Sequence, residues 1–162
     1  MMNLSIETLS HRPLEFYSGL PRQFSGLRLS GGEVLSASGE FGDLCIQEFN
    51  GDNFIIRYSV IHTKEEFIVE AQSHHSGIHA LIMVSNHIKP VIKNANAINV
   101  GEGQFTILQA HRPETTITFT KKQLYSCFEI MLSEELAVSL LKDFPELMYP
   151  YRNRLPGIRI YG

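Results

Sequence analysis

The sequence predicts a mainly β domain that ends in one helix, and three observations lead to this prediction. Between residues 44 and 132, apolar side chains recur at every second position in short runs, as they do in strands that bury one face. Clusters of Gly, Asn, Ser and Pro separate many of these runs, for example at 50–53 and 73–77. At Ser133 the apolar period changes to that of an amphipathic helix.

The first 35 residues show the weakest pattern. Residues 1–21 have no sustained period and contain Pro13, Gly19 and Pro21, so we expect an irregular arm that lies across the domain. Apolar residues alternate loosely over 27–35, on both sides of a Gly-Gly pair. This stretch predicts a short strand pair or one bulged strand.

The clearest strand pair covers residues 44–49 and 54–61. The connection between them starts at Asn50 and Gly51, and both residue types accept the positive backbone φ that a tight hairpin turn requires. In the second run the even-numbered side chains are all apolar, whereas the odd-numbered positions include an arginine and a serine. We therefore predict a hairpin whose second strand has one apolar face and one mixed face.

The later strands follow one another closely. They are predicted at residues 67–71, 78–84, 88–92, 98–100, 105–108, 116–119 and 124–132, with a turn at 94–96. Pro90 places its run at a sheet edge or at a strand start, because proline has no backbone N–H to donate. We expect eight or nine short strands in all, at the spacing typical of a sandwich or barrel.

A helix is predicted after Ser133, which is a suitable N-cap. Glu134 and Glu135 follow at the positive end of the helix dipole, and Pro145 ends the helix. Five apolar side chains cover more of the helix surface than docking on a sheet requires. They are Leu136, Val138, Leu140, Leu141 and Phe144. We therefore expect a homodimer, with Leu136, Leu140, Leu141 and Phe144 as its contact residues.

Composition limits the architecture and the partners. With 162 residues, of which 43% are hydrophobic, the chain fits one unit that buries its own core. The formal net charge of -3 gives no general attraction to the nucleic-acid backbone, so any contact with DNA is expected from another segment. Two cysteines and no signal-peptide pattern predict a cytoplasmic protein. The longest uncharged stretch, 71–88, is too polar for a membrane span.

The usual catalytic and metal-binding patterns are absent from the sequence. Seven histidines include no pair at i and i+2, as a metal site on a barrel strand would need, and we predict no metal and no cofactor. The Gly-Glu-Gly at 101–103 begins like a dinucleotide loop, but Thr106 replaces the third glycine and a strand follows. Cys127 lies in an apolar strand, which suits a buried residue better than an activated thiolate. We therefore predict no catalytic residues.

Polar side chains interrupt several strands whose other face is apolar. The candidates for ligand binding are Arg57, Ser59, His79, Tyr125 and Glu129. Such polar groups could line a ligand cavity. They could also face solvent, as one side of an antiparallel strand usually does, and Arg57 and Glu129 could pair with each other across neighbouring strands.

Three segments carry a family resemblance: residues 103–108 (GQFTIL), 125–133 (YSCFEIMLS) and 144–147 (FPEL). Together they resemble the amino-terminal regulatory domain of AraC-type transcription regulators, particularly those of Bacteroidetes-like bacteria. The resemblance covers roughly residues 43–151. It implies a cupin-like double-stranded β-helix, also called a jelly-roll barrel, that senses a small molecule and is followed by carboxy-terminal helices that mediate dimerisation.

The resemblance also implies a carboxy-terminal domain of two helix-turn-helix motifs that binds DNA. Too few residues follow Pro145 for two such motifs, so we expect a chain that ends near the interdomain linker. We assign residues 1–132 to the barrel sensor with its arm, and 133–162 to the helical dimerisation segment and the start of the linker.

The predicted function is effector binding and dimerisation in a bacterial AraC-type regulator, without enzymatic activity. One alternative is a stand-alone cupin-fold enzyme or a sugar-like small-molecule binding protein. Cupin enzymes usually carry a His-x-His pair with a later Glu and His, and a match of 101–103 to the second cupin turn would put the later ligand position at Thr106. The other alternative is a structural dimerisation module with a filled barrel.

Overall fold

The computed structural model describes residues 3–8, 15–21, 24, 27–74, 76–93 and 97–143. This part of the chain contains eleven strands and one helix. They are β1 (Asn3–Thr8), β2 (Phe16–Ser18), β3 (Glu33–Gly39), β4 (Gly42–Asn50), β5 (Phe54–Thr63), β6 (Phe67–Gln72), β7 (Ser76–Ser85), β8 (Val91–Ile92), β9 (Phe105–His111), β10 (Glu114–Phe119), β11 (Leu124–Ser133) and α1 (Glu134–Asp143). The prediction of a mainly β chain with a helix after Ser133 is confirmed.

The strands form two antiparallel sheets. One sheet has the order β1-β6-β10-β8, and the other has the order β2-β3-β4-β5-β11-β7-β9. Apolar side chains from both sheets form one core. At one end of this core, Phe67 contacts Phe41 and Phe119 at ring-centroid distances of 5.0 and 5.2 Å, and Phe119 contacts Tyr125 at 5.0 Å. These aromatic contacts join the two sheets.

The prediction of an irregular amino-terminal arm is wrong for two segments, which form strands. Residues 3–8 form β1 along β6, and residues 16–18 form β2 along β3. A strand at a sheet edge offers unpaired backbone N–H and C=O groups, which another segment can pair without a long apolar period of its own. Neither segment has a sustained apolar period, so periodicity did not predict them.

The strand pair expected over 27–35 is also wrong in part, because the first half of this stretch is not a strand. The side-chain amide of Gln47 donates to the backbone oxygen of Leu27, and its oxygen accepts from the backbone nitrogen of Leu29. A turn at 30–31 follows, and β3 begins at Glu33. A side-chain amide thus takes the place of a partner strand, which no apolar pattern encodes.

The hairpin between β4 and β5 is confirmed, but its glycine has a different role from the expected one. Neither Asn50 nor Gly51 has a positive φ. A Cβ atom at Gly51 would lie 2.4 Å from the ring of Phe54. A larger residue here would have to displace the ring of Phe54, whereas the turn does not need a left-handed backbone.

The predicted strand at 98–100 is reduced to one bridge, in which Val100 and Ile88 exchange two backbone hydrogen bonds of 3.0 Å. The prediction that Pro90 lies at a sheet edge or a strand start is confirmed, since β8 begins directly after it and lies at a sheet edge. The turn predicted at 94–96 lies outside the described residues. With the two amino-terminal segments included, the described chain has eleven strands instead of eight or nine.

Helix α1 begins as the sequence predicts. The hydroxyl of Ser133 accepts from the backbone nitrogen of Leu136 at 3.1 Å, which is an N-cap. On the helix surface Val138 and Leu140 are 38% and 41% exposed. The side chain of Leu141, and the residues from 144 onward with Phe144 and Pro145, lie outside the described part. No helix within that part has the length and apolar character needed to cross a membrane.

Gly42 provides a test of the barrel packing. Its φ is +134°, and a Cβ atom there would lie 2.0 Å from the backbone oxygen of His62. We expect Gly42→Ala to lower the free energy of unfolding by more than about 3 kcal/mol, because the clash is with backbone. The control is Gly103→Ala, at φ +72° with no atom within 4 Å. It should cost about 1–2 kcal/mol, and equal losses in urea unfolding would contradict the packing described here.

Candidate functional site

A cavity of about 150 Å³ lies between the two sheets. Its walls are mostly apolar, and they come from both sheets. The apolar lining includes Leu44, Ile46, Ile61, Val69, Leu81, Met83, Ile88, Ile92, Leu108, Ile117 and Phe119. Apolar walls of this kind exclude water and strengthen the electrostatic interactions of any polar group among them.

All five predicted ligand-binding residues line this cavity. Arg57 and Ser59 project from β5, His79 from β7, and Tyr125 and Glu129 from β11. The three strands are neighbours, and side chains two residues apart on one strand share a face. The alternation in the sequence placed these residues on mixed strand faces, and the structure shows that those faces point into the cavity. That these residues bind a ligand stays a prediction.

Arg57 lies between two carboxylates. Its register partners are Glu48 on β4 and Glu129 on β11, so the three side chains form a row across neighbouring strands. Nε and Nη2 of Arg57 donate to Oε2 of Glu48 at 3.0 and 2.6 Å, and Nη1 donates to Oε2 of Glu129 at 2.5 Å. The guanidinium is almost fully buried, so these partners compensate its charge.

The row favours the charged forms of Arg57 and Glu129. Burial alone would lower the pKa of Arg57, but the negative charges of Glu129 and Glu48 outweigh it and raise that pKa. Desolvation alone would raise the pKa of Glu129, but its interaction with the His79 ring and the positive charge of Arg57 outweigh that effect and lower it. At neutral pH, Arg57 and Glu129 therefore form an ion pair.

Glu48 is a site residue that the sequence analysis did not select. The hairpin after β4 pairs Asn50 with Ile55, and the same register puts Glu48 opposite Arg57. Counting back from the predicted turn would have identified the pair. Glu48 lies within the predicted strand 44–49, but the ligand candidates were selected from other strands, so it was missed.

Two buried polar atoms at the cavity have no hydrogen-bond partner within the described residues: Nε2 of His79 and Oγ1 of Thr106. The two side chains are 5% and 0% exposed. His79 on β7 is paired with Leu108 on β9, and Thr106 is two residues before Leu108. Thr106 therefore lies diagonally from His79 on the same face, and both line the cavity. The other ring nitrogen of His79, Nδ1, lies 3.6 Å from Oε1 of Glu129.

Thr106 entered the sequence analysis only as the residue that replaces a glycine or a metal ligand. A threonine in a strand gives no functional signal until its neighbours are known. Tyr125 was selected from the sequence, but its hydroxyl already has partners. It pairs with the hydroxyl and the backbone nitrogen of Thr120 at 2.7 and 3.1 Å. Tyr125 contributes its ring to the cavity, while Thr106 contributes an unpaired hydroxyl.

The thiol of Cys127 also faces the cavity. Burial, together with the negative charge of Glu129, raises the pKa of Cys127 to about 12. The thiol therefore stays protonated at neutral pH, as expected for a structural cysteine. Across the described residues, no group of three His, Cys, Asp or Glu side chains lies close enough to hold a metal ion. The absence of a metal or cofactor stays a prediction.

Comparison with known proteins identifies the fold. No protein-family model matches the chain, and no curated protein matches it. Solved structures do match. One is an RmlC-like cupin protein with a double-stranded β-helix fold from Methanocaldococcus jannaschii, 10% identical, with a TM-score of 0.41 over 76% of this chain and 94% of that one. The two antiparallel sheets and this likeness agree with a cupin-like fold. The predicted fold class is thereby confirmed.

Two other cupin-fold structures differ in function. Fe(II) HppE is 10% identical, with a TM-score of 0.48 over 72% of this chain and 64% of that one. The AraC-like transcriptional activator CuxR is 13% identical, with a TM-score of 0.45 over 88% of this chain and 45% of that one. HppE is an enzyme that holds Fe(II). The prediction that the chain is not an enzyme is contradicted, because one of the structures that it resembles is an Fe(II) enzyme.

The unpaired hydroxyl of Thr106 can be tested against a paired one. We expect Thr106→Val to raise the free energy of unfolding by about 1 kcal/mol, because it removes a buried polar group that has no partner. The control is Thr63→Val, because the buried hydroxyl of Thr63 donates to the backbone oxygen of Thr120 at 2.7 Å. Thr63→Val should lower the free energy of unfolding, measured in urea, by about 1–3 kcal/mol. A loss of equal size in both variants would contradict the assignment of Thr106 as unpaired.

The lowered pKa of Glu129 makes part of the stability sensitive to acid. As pH falls below the ordinary value of 4.5, the unfolded chain binds a proton before the folded chain does, so the free energy of unfolding decreases. We expect Glu129→Gln to be less stable than wild type by about 1 kcal/mol at neutral pH, the difference between a charged and a neutral hydrogen bond. This deficit should shrink as pH falls through the folded-state pKa, and urea unfolding at stepped pH measures it. A deficit that stays constant in acid would contradict the lowered pKa.

Proposed function

We propose that this chain is the effector-binding and dimerisation domain of a bacterial AraC-type transcription regulator that acts in the cytoplasm. The observation that carries the proposal is the pair of unpartnered atoms, His79 Nε2 and Thr106 Oγ1, in an apolar cavity. A buried polar atom without a partner costs about 1–3 kcal/mol. A bound molecule that pairs both atoms removes this cost, which favours a cavity kept for a ligand over a filled structural barrel.

The connection between the cavity and the helix supports a regulatory role. Glu129 lines the cavity, and Ser133 caps α1 four residues later on the same strand. Helix α1 also packs against β7, the strand that carries His79. A ligand that binds one arrangement of β7 and β11 more tightly than another would therefore bias the position of the helix, and only this difference in affinity can shift the equilibrium.

The division of the chain follows from this proposal. Residues 1–132 form the sensor with its amino-terminal arm, and residues 133–162 form the dimerisation segment and the start of the linker. Exposed Val138 and Leu140 on α1 give an apolar surface for a second copy of the chain. The net charge of -3 agrees with DNA binding through a carboxy-terminal helix-turn-helix domain that is not in this chain. The resemblance of residues 103–108 and 125–133 to AraC-type regulators supports the assignment.

Dimerisation through α1 is tested by replacing one exposed leucine. We expect the chain to be dimeric in sedimentation equilibrium, and Leu140→Ser to weaken the dimer by about tenfold or more, because a buried leucine contributes about 1.5–3 kcal/mol. The matched control is Leu124→Ser at the start of β11, where the side chain is 52% exposed and lies away from the helix. Its dimer constant should equal that of wild type. A monomeric wild type, or equal effects of both substitutions, would contradict dimerisation through this helix.

A further inference from the structure

We infer that the cavity binds a neutral molecule about the size of one aromatic ring that carries a single hydroxyl group, as phenol does. This inference rests on the proposed function, because it assumes that the cavity is kept for a ligand. Four properties of the cavity carry it: its volume, its walls, the two unpaired atoms and the local charge.

The volume limits the size of the ligand. The cavity measures about 150 Å³. An apolar cavity of roughly this volume accommodates a benzene molecule in a protein interior. A nucleotide or a disaccharide is too large, whereas a single ring or a short branched chain fits.

The walls limit how polar the ligand can be. Most side chains around the cavity, such as Val69, Met83 and Ile92, offer no hydrogen-bond partner. Each hydroxyl group of a sugar-like molecule would lose its water on entry, and most would find no replacement. A molecule with many hydroxyl groups is therefore disfavoured, and an apolar body with one polar group is preferred.

The two unpaired atoms define that polar group. Nδ1 of His79 faces Oε1 of Glu129 at 3.6 Å, and an ionised carboxylate only accepts hydrogen bonds. With the proton on Nδ1, directed at this carboxylate, Nε2 is left as an acceptor. The hydroxyl of Thr106 can donate. A ligand hydroxyl that lies between these two diagonal neighbours donates to His79 and accepts from Thr106, whereas a ketone, an ether or a carboxylate has no proton to donate.

The local charge excludes ions. Glu48 and Glu129 carry two negative charges against one positive charge on Arg57, so the polar end of the cavity repels an anion. Three of the five N–H donors of the guanidinium already bond to the two carboxylates, whose negative charges offset its positive charge. A cation would enter apolar surroundings while the carboxylates are paired with Arg57, which makes its desolvation costly. A neutral ligand avoids both penalties.

The test is isothermal titration calorimetry of the 162-residue chain with four probes of similar size: phenol, toluene, benzoate and erythritol. Phenol should bind at least about fivefold more tightly than toluene, since two neutral hydrogen bonds each contribute roughly two- to tenfold in affinity. Benzoate, as an anion, and erythritol, as a polyol, should bind more weakly than toluene. Binding of benzoate or erythritol as tight as that of phenol would overturn the ligand class, and so would equal affinities for phenol and toluene.

Matched variants separate the hydroxyl contact from the shape of the cavity. Thr106→Val should weaken phenol binding by about two- to tenfold and leave toluene binding unchanged, because only the donor is removed. Thr118→Val on the exposed side of β10 is the control and should bind both probes as wild type does. Unchanged phenol affinity in Thr106→Val would overturn the assigned contact.

The outcomes distinguish the ligand class from the proposed function. Tighter binding of benzoate or erythritol, or no binding of any probe, overturns the inferred class and leaves the dimerisation results standing. If phenol binds as expected but the sedimentation of the dimer and the near-ultraviolet circular dichroism do not change with phenol, the ligand class stands. In that case the regulatory coupling between cavity and helix is the part that fails.

Discussion

The structure depends on the neutralisation of one buried positive charge. Arg57 lies on a central strand of the larger sheet and is almost fully buried, so its guanidinium loses the solvation that water would provide. Glu48 and Glu129 replace that solvation from the strands on either side. Because removal of one partner leaves a charge uncompensated, the three residues act as one unit that fixes how β4, β5 and β11 meet. The polar end of the cavity is organised around this unit.

Much of the site was predictable because strands present alternate residues to opposite faces. Arg57 and Ser59 are two positions apart on β5, and Tyr125 and Glu129 are four positions apart on β11. This even spacing alone places the two residues of each pair on the same face of their strand. Thr106 was not predictable as a ligand residue. Its importance comes from the absence of a partner for its hydroxyl, which depends on every neighbouring side chain and cannot be deduced from one strand.

The fold divides in the same way. From β4 onward, apolar alternation in the sequence predicts the strands, because each strand buries one face in the core. The early segments do not, because β1 and β2 extend sheet edges through backbone hydrogen bonds that any sequence can make. The function was harder to predict from the sequence than the fold or the site residues. One fold can carry unrelated functions, so the chemistry of the individual site must decide the role.

Adjacent residues on β4 serve opposite sides of the sheet. Gln47 faces outward and binds the backbone at Leu27 and Leu29, while Glu48 faces inward and pairs with Arg57. A slip of β4 by one position against β5 would exchange these two side chains, and both sets of contacts would be lost together. A strand pair in the shifted register would therefore gain neither contact. The Gln-Glu pair discriminates against the wrong alignment during folding, in addition to stabilising the correct one.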